Sequence, residues 1–381
     1  MGGFRLGVWD RLSMVRRLDE PFSGIAPRHL PDAFVFAVLL LAGLPAWAES
    51  VTFTVSETAG LRRFGYPVTA SLECGKGALG SVEKARLVND AGKEVPAQFT
   101  AMSTWPDGPV HGLDVDFVSS LGPMEEQTYR VEFGRGPSKP LRKRLEVTET
   151  PEEIVVASSA IRHRIRRDGK PLLTFIAFRE NEFLGADGIR TTLAPGAVEV
   201  LKRGPFNVTL TMGAVRLEYV STKSWVKITQ RAEAVSDLAV DAQFNMTKLP
   251  LLWDFGVRSW LYGSLRKAGH SALLKHGRSG WQVLTARGAK PPSVYATGKV
   301  CEGWGHLADS ERVAAFGMAD CRPDDEAEFR LNTDGRVHIA AKKKELTVYF
   351  HLVGQPVAVT AATSPPSMLA PLRVTVQRAA P

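Results

Sequence analysis

The densest set of chemically capable side chains runs Glu302-Gly303-Trp304-Gly305-His306-Leu307, followed by Asp309 and Arg312. A flat aromatic ring beside an acid, an imidazole and a guanidinium is what a sugar site uses: the ring covers a pyranose face and the polar groups take hydroxyls. Gly303 and Gly305 suit an exposed loop. In the alternative, Trp304 packs into a core and its polar neighbours satisfy one another. A second set centres on a turn, Trp105-Pro106-Asp107-Gly108, whose proline, aspartate and glycine each favour tight reversal. After it, His111, Leu113, Val115 and Phe117 alternate with Val110, Gly112, Asp114 and Asp116, the period of a strand. Alternation puts His111 opposite the two acids, so the three form no simple acid–base group. Trp105, as a stacking platform at a hairpin tip, and His111 complete the set of candidate sugar contacts with Trp304, Glu302, His306 and Arg312. Arg162 and Arg164 share a strand face that suits an acidic sugar or plain solvent. His351, within Tyr349-Phe350-His351-Leu352, reads as a core histidine.

No complete catalytic motif accompanies these residues. Elimination on a uronic acid needs a base and a carboxylate-neutralising cation, and hydrolysis needs two carboxylates across a cleft. Phosphate loops and nucleophile elbows are missing. No cofactor is expected, and no cysteine or histidine spacing suggests a metal. Of the three cysteines, Cys301 and Cys321 suit a bridge in an oxidising compartment, with Cys74 left over; the alternative is three reduced thiols.

The elements that must position these groups are strands. The chain has 381 residues, 34 of them glycine and 24 proline, and few long apolar stretches of helical period. That predicts an all-β protein of about two domains, a small β-barrel followed by a large antiparallel β-sandwich with few short helices. Residues 49–135 hold six short strands. Residues 136–146, with two prolines and a run of basic side chains, read as a linker. Residues 147–381 return to strand patterning, with separate strands expected at 225–232, 238–244, 337–340 and 346–352, a less regular stretch between 244 and 313, and a short helix after Ser364-Pro365-Pro366-Ser367.

Residues 1–48 read as a signal peptide. Ala33 to Leu44 is uncharged and apolar, and Ala46-Trp47-Ala48 has the small-x-small form of a cleavage site. The run is too short to serve comfortably as a permanent span. The expected destination is periplasmic or secreted. Without the five arginines and four acids of that segment, 48 basic and 40 acidic residues become 43 and 36, a net +7. Such a balance favours an acidic polysaccharide or an anionic surface. No basic stripe interleaved with aromatics suggests nucleic acid.

Arg63-Phe64-Gly65-Tyr66-Pro67-Val68, Asn89-Asp90-Ala91-Gly92, Val95-Pro96-Ala97-Gln98 and Trp105-Pro106-Asp107-Gly108 occur in that order, ahead of a strand ending Asp116-Phe117. Together they resemble the N-terminal RIFT-type barrel of exo-rhamnogalacturonan lyases and their YetA-like relatives. The second half more loosely resembles the mutarotase-type supersandwich that follows it. Two departures accompany the resemblance. Asp107-Gly108 is followed by Pro109-Val110-His111-Gly112 where the family has Ser, a basic residue and Trp, and no helical series matches its α/α-toroid. The resemblance implies a fold and a carbohydrate association, and no catalytic residue.

The resulting expectation is an exported carbohydrate-associated protein, a binding or accessory module for an acidic polysaccharide or oligosaccharide. Two alternatives stand beside it: a minimal polysaccharide lyase or glycoside hydrolase, and a structural envelope protein making protein contacts.

Overall fold

The computed structural model describes residues 50–377 apart from 143, 180, 247, 258–260 and 355–364. The expected export segment lies outside the described residues. The chain is all-β, as its glycine-rich, short-period pattern predicts. Among the described residues the helical structure is confined to the five-residue helix Pro365–Leu369 and two 3-10 turns.

The N-terminal part forms two sheets around one core. Three strands, Arg63–Glu73, Val110–Leu121 and Ala97–Thr104, make one sheet. The other contains Ser50–Ser56, Glu126–Phe133, Ala85–Asn89 and Glu94–Val95, with Arg373–Val376 on its outer edge. Alternating apolar residues meet between the sheets: Phe53 and Tyr129 stack at 5.7 Å on neighbouring strands of one, and Phe117 from the other closes on Tyr129 at 4.8 Å. The last strand pairs antiparallel with the first, Phe53 against Val376 through Ser56 against Arg373. Residues 147–381 therefore do not all belong to the second sheet system, because the free edge of Ser50–Ser56 is covered by the returning chain terminus.

Nineteen strands, from Glu146–Glu149 to Arg336–Val353, form one antiparallel system that closes on itself. Its centre is a pair of long strands, Trp225–Phe244 and Arg336–Val353, in register from Trp225 opposite His351 to Gln243 opposite Arg336. Each replaces two expected strands. The pairing shifts between Arg231 and Ser236, where both strands are largely exposed, so the alternation lapses while the backbone stays extended. Val226, Ile228, Val240, Phe244, Ile339, Val348 and Phe350 bury the inner face. The stretch expected to be less regular is instead six strands, from Leu251–Val257 to Cys301–Ala308.

The two parts meet through buried polar contacts. The Lys202 ammonium lies 2.7 Å from Asp114 and 3.0 Å from Asp116. The Gln98 carbonyl accepts from the N–H groups of Phe206 and Asn207. At the opposite end Arg63 is bound to Glu57 and donates to the carbonyls of Ser367 and Ala370, holding the short helix.

Candidate functional site

The residues expected around Trp304 are positioned by Cys301–Ala308, between strands Leu251–Val257 and Val313–Met318. They do not make an exposed loop. Trp304 is only 6% exposed, and a Cβ on Gly256 would sit 2.2 Å from its ring, so a neighbouring strand closes over the indole. The Trp304 indole N–H donates to Glu302 at 2.8 Å. His306 is buried and its Nδ1 lies 2.6 Å from Asp254. Arg312 donates to the Glu182 carbonyl and pairs with Glu311, while Asp309 accepts from the backbone of residues 311 and 312. This set is core packing and turn closure, and Trp304 offers no face to a sugar.

The hairpin tip forms as expected, with the Gly108 N–H on the Trp105 carbonyl at 2.9 Å. The Trp105 ring packs on His111 at 4.3 Å, and its N–H donates to the Cys74 carbonyl. Both are half-buried in mutual contact. Asp114 and Asp116 are buried because the second face of their strand is covered by the larger part of the chain. Burial raises the Asp116 carboxyl above its usual range, against the pull of Lys202.

Cys301 and Cys321 come together as expected, but as free thiols, with no bond between them. The Cys321 thiol donates to Cys301, which pulls Cys301 down and pushes Cys321 up. Beside them lies His276, whose Nδ1 is 3.5 Å from the Cys321 sulfur. No local spacing shows this cluster, because folding brings its three residues together from separate segments.

Among the described residues, clefts at three places could take a ligand. One of about 650 Å³ lies where the two parts meet, lined by Asp114, Lys202, Arg216, Glu218 and Lys227. Its charges neutralise one another, since the Glu218 carboxylate lies 2.8 Å from each of the Arg216 and Lys227 cations. A smaller cleft of about 250 Å³ is lined by Asp187, Arg190, Asp241 and Arg336. There His338 Nδ1 is 2.8 Å from Asp241, and that hydrogen bond, reinforced by the nearby cations, holds the carboxylate below its usual range.

The third cleft, of about 700 Å³, differs in kind. It lies among the strands Leu251–Val257, Leu261–Leu265, His270–Gly277, Gly280–Arg287 and Ser293–Gly298. Tyr262 is 69% exposed, Leu252 53% and Tyr295 49%. Arg266, Lys267 and Arg287 line the same groove with His270, and among the described residues no carboxylate does. Among the described residues none of these three cations is ion-paired; Arg266 donates only to Ser264. The groove floor is Trp253, which packs edge-on to Tyr295 at 5.6 Å and lies so close to residue 263 that only glycine fits there. Leu261-Tyr262-Gly263-Ser264-Leu265-Arg266-Lys267 carried a usable signal: alternation that places a tyrosine outward, next to two cations.

No protein-family model matches the chain, and no curated protein matches it. Among solved structures, an α-mannosidase from Enterococcus faecalis V583 is similar, with TM-score 0.54 and 10% identity over 86% of this chain and 46% of that one. The chain thus spans less than half the length of that enzyme. At this identity the likeness is one of fold.

Proposed function

We propose that this chain is an exported carbohydrate-binding module whose ligand is an acidic polysaccharide lying in the groove of Tyr262 and Tyr295. The observation that carries the reading is the combination, among the described residues, of two exposed tyrosines with three unpaired cations and no carboxylate in one groove. Tyrosine rings remove the apolar C–H face of a pyranose from water. Arginine matches a uronate carboxylate with two parallel donors, and such exposed charges are attenuated by salt. The fold shared with an α-mannosidase and the resemblance to exo-rhamnogalacturonan lyases support a sugar ligand. The second of these supports an acidic one.

Titration of the chain lacking residues 1–48 with polygalacturonate, a rhamnogalacturonan and neutral mannan tests the binding. Affinity for the acidic polymers, falling as salt rises, is expected. Equal affinity for all three, or none for any, removes the reading. For export, protein from the exported fraction should begin at Glu49, and intact residues 1–48 on cytoplasmic protein would remove that part.

One observation favours a lyase or hydrolase as a second reading: Asp241, which lines the smaller cleft beside Arg190 and Arg336, is hydrogen-bonded to His338 behind it. Unsaturated, ultraviolet-absorbing product or new reducing ends from the same polymers would favour it over simple binding.

A further inference from the structure

His276 lies near the end of His270–Gly277, Cys301 opens Cys301–Ala308, and Cys321 sits in the turn after Val313–Met318. One nitrogen and two sulfurs, one ligand atom from each, all fall within 4.8 Å of one another. The His276 Nδ1 to Cys321 Sγ distance is 3.5 Å. A tetrahedral zinc ion with bonds of about 2.3 Å to sulfur and about 2.0 Å to nitrogen holds its ligand atoms roughly 3.5–3.8 Å apart. The cluster is thus at or near the required spacing before any ion is considered. We propose that His276, Cys301 and Cys321 form a zinc site, with water as the fourth ligand.

The chemistry of the set selects the ion. Two thiolates and an imidazole suit zinc and disfavour magnesium or calcium, which take oxygen ligands. Binding moves both thiol protons to solvent, and the two thiolates then neutralise the charge of the cation. No electron is transferred.

The backbone holds all three ligands in place. Gly303 has φ +73°, and a Cβ there would lie 2.4 Å from the Cys321 Cβ, so the strand carrying Cys301 is seated directly on Cys321. Lys343 clamps the turn bearing Cys321, donating to the Asp320 carbonyl at 2.8 Å and pairing with Asp325 at 2.9 Å. His276 is tied to the far side of that turn by its N–H on the Ala327 carbonyl. Such fixing of the ligands lowers the ordering needed when the ion arrives.

The competing state of the same sulfurs is a disulfide, which would remove two ligands and requires an oxidant. The test uses the full chain, purified under reduction and freed of metal by a chelator. Cobalt(II) should bind at one equivalent with sulfur-to-cobalt charge-transfer absorption in the near ultraviolet, and zinc should displace it. Zinc should also slow alkylation of Cys301 and Cys321, mapped by mass spectrometry. Cys301→Ser, Cys321→Ser and His276→Gln should each weaken zinc at least tenfold, and Cys74→Ser should leave it unchanged. The cobalt spectrum and alkylation mapping of the unmodified chain decide the matter alone, independent of whether a variant folds. A missing thiolate band, zinc binding indifferent to Cys301→Ser, or native protein isolated with Cys301 linked to Cys321 would each overturn the site.

Discussion

The Tyr295 hydroxyl donates to the backbone carbonyl of Tyr262 at 3.1 Å, linking the two aromatic walls of the cationic groove across separate strands. This bond fixes the tyrosine spacing before a ligand enters, so little ordering is required on binding. Tyr262→Ala removes an exposed ring while leaving the backbone acceptor. It should weaken acidic-glycan binding by about 0.5–1.5 kcal/mol, a factor of roughly 2–13, with an unchanged melting temperature. Calorimetric titration alongside thermal melting checks this, and unchanged affinity would move the ligand elsewhere.

Trp304→Ala should behave in the opposite way. The indole is packed against Gly256, so its removal leaves a cavity and should lower stability by ~3–5 kcal/mol. Affinity per folded molecule should stay the same. Chemical denaturation combined with binding at matched folded concentration separates the two effects.

The contrast between these residues shows what the sequence can convey. The hairpin around Trp105 was legible because its turn chemistry and its alternation are local, and the strands Ala97–Thr104 and Val110–Leu121 follow from them. The burial of Trp304 was not, because it depends on Gly256 from another strand. The long strand Trp225–Phe244 looked like two because its exposed middle, Ala232 to Val235, loses the apolar period while remaining extended. The groove lay in a segment whose short strands are punctuated by glycine. Tyr262, Arg266 and Lys267 carried a local signal, but Arg287 and Tyr295 joined them only once the fold brought their strands to the same groove. His276, Cys301 and Cys321 have no common spacing to read.

Lys202 should be a stability residue. Its ammonium is buried between Asp114 and Asp116, and Asn207 donates to Asp116 at 3.0 Å from the same side. Lys202→Met leaves two buried carboxylates without their cation and should cost ~3–5 kcal/mol. Replacing both acids with asparagine in the same variant should recover part of that loss, since the charge imbalance disappears. Urea unfolding of the single and triple variants measures it, and identical stabilities would show that the acids are solvated instead.

Acid should expose the role of Glu57. Burial pushes its carboxyl up, but the N–H groups of Met124, Ala59 and Leu61 and the Arg63 guanidinium together outweigh it and hold the group at about 2, against an ordinary 4.5. A carboxyl depressed in the folded chain binds its proton more weakly there than in the unfolded chain. Its contribution is therefore complete above about pH 4.5 and is lost as pH falls toward 2. Urea unfolding across that window should show stability declining with acid. Glu57→Gln should lower stability at neutral pH by at least about 1.5 kcal/mol, because Arg63 loses its charged partner. The same change should also flatten the decline between pH 4.5 and 2. A slope that is unchanged in Glu57→Gln would mean that other carboxylates govern acid unfolding and that the Glu57–Arg63 pair does not anchor the C-terminal helix.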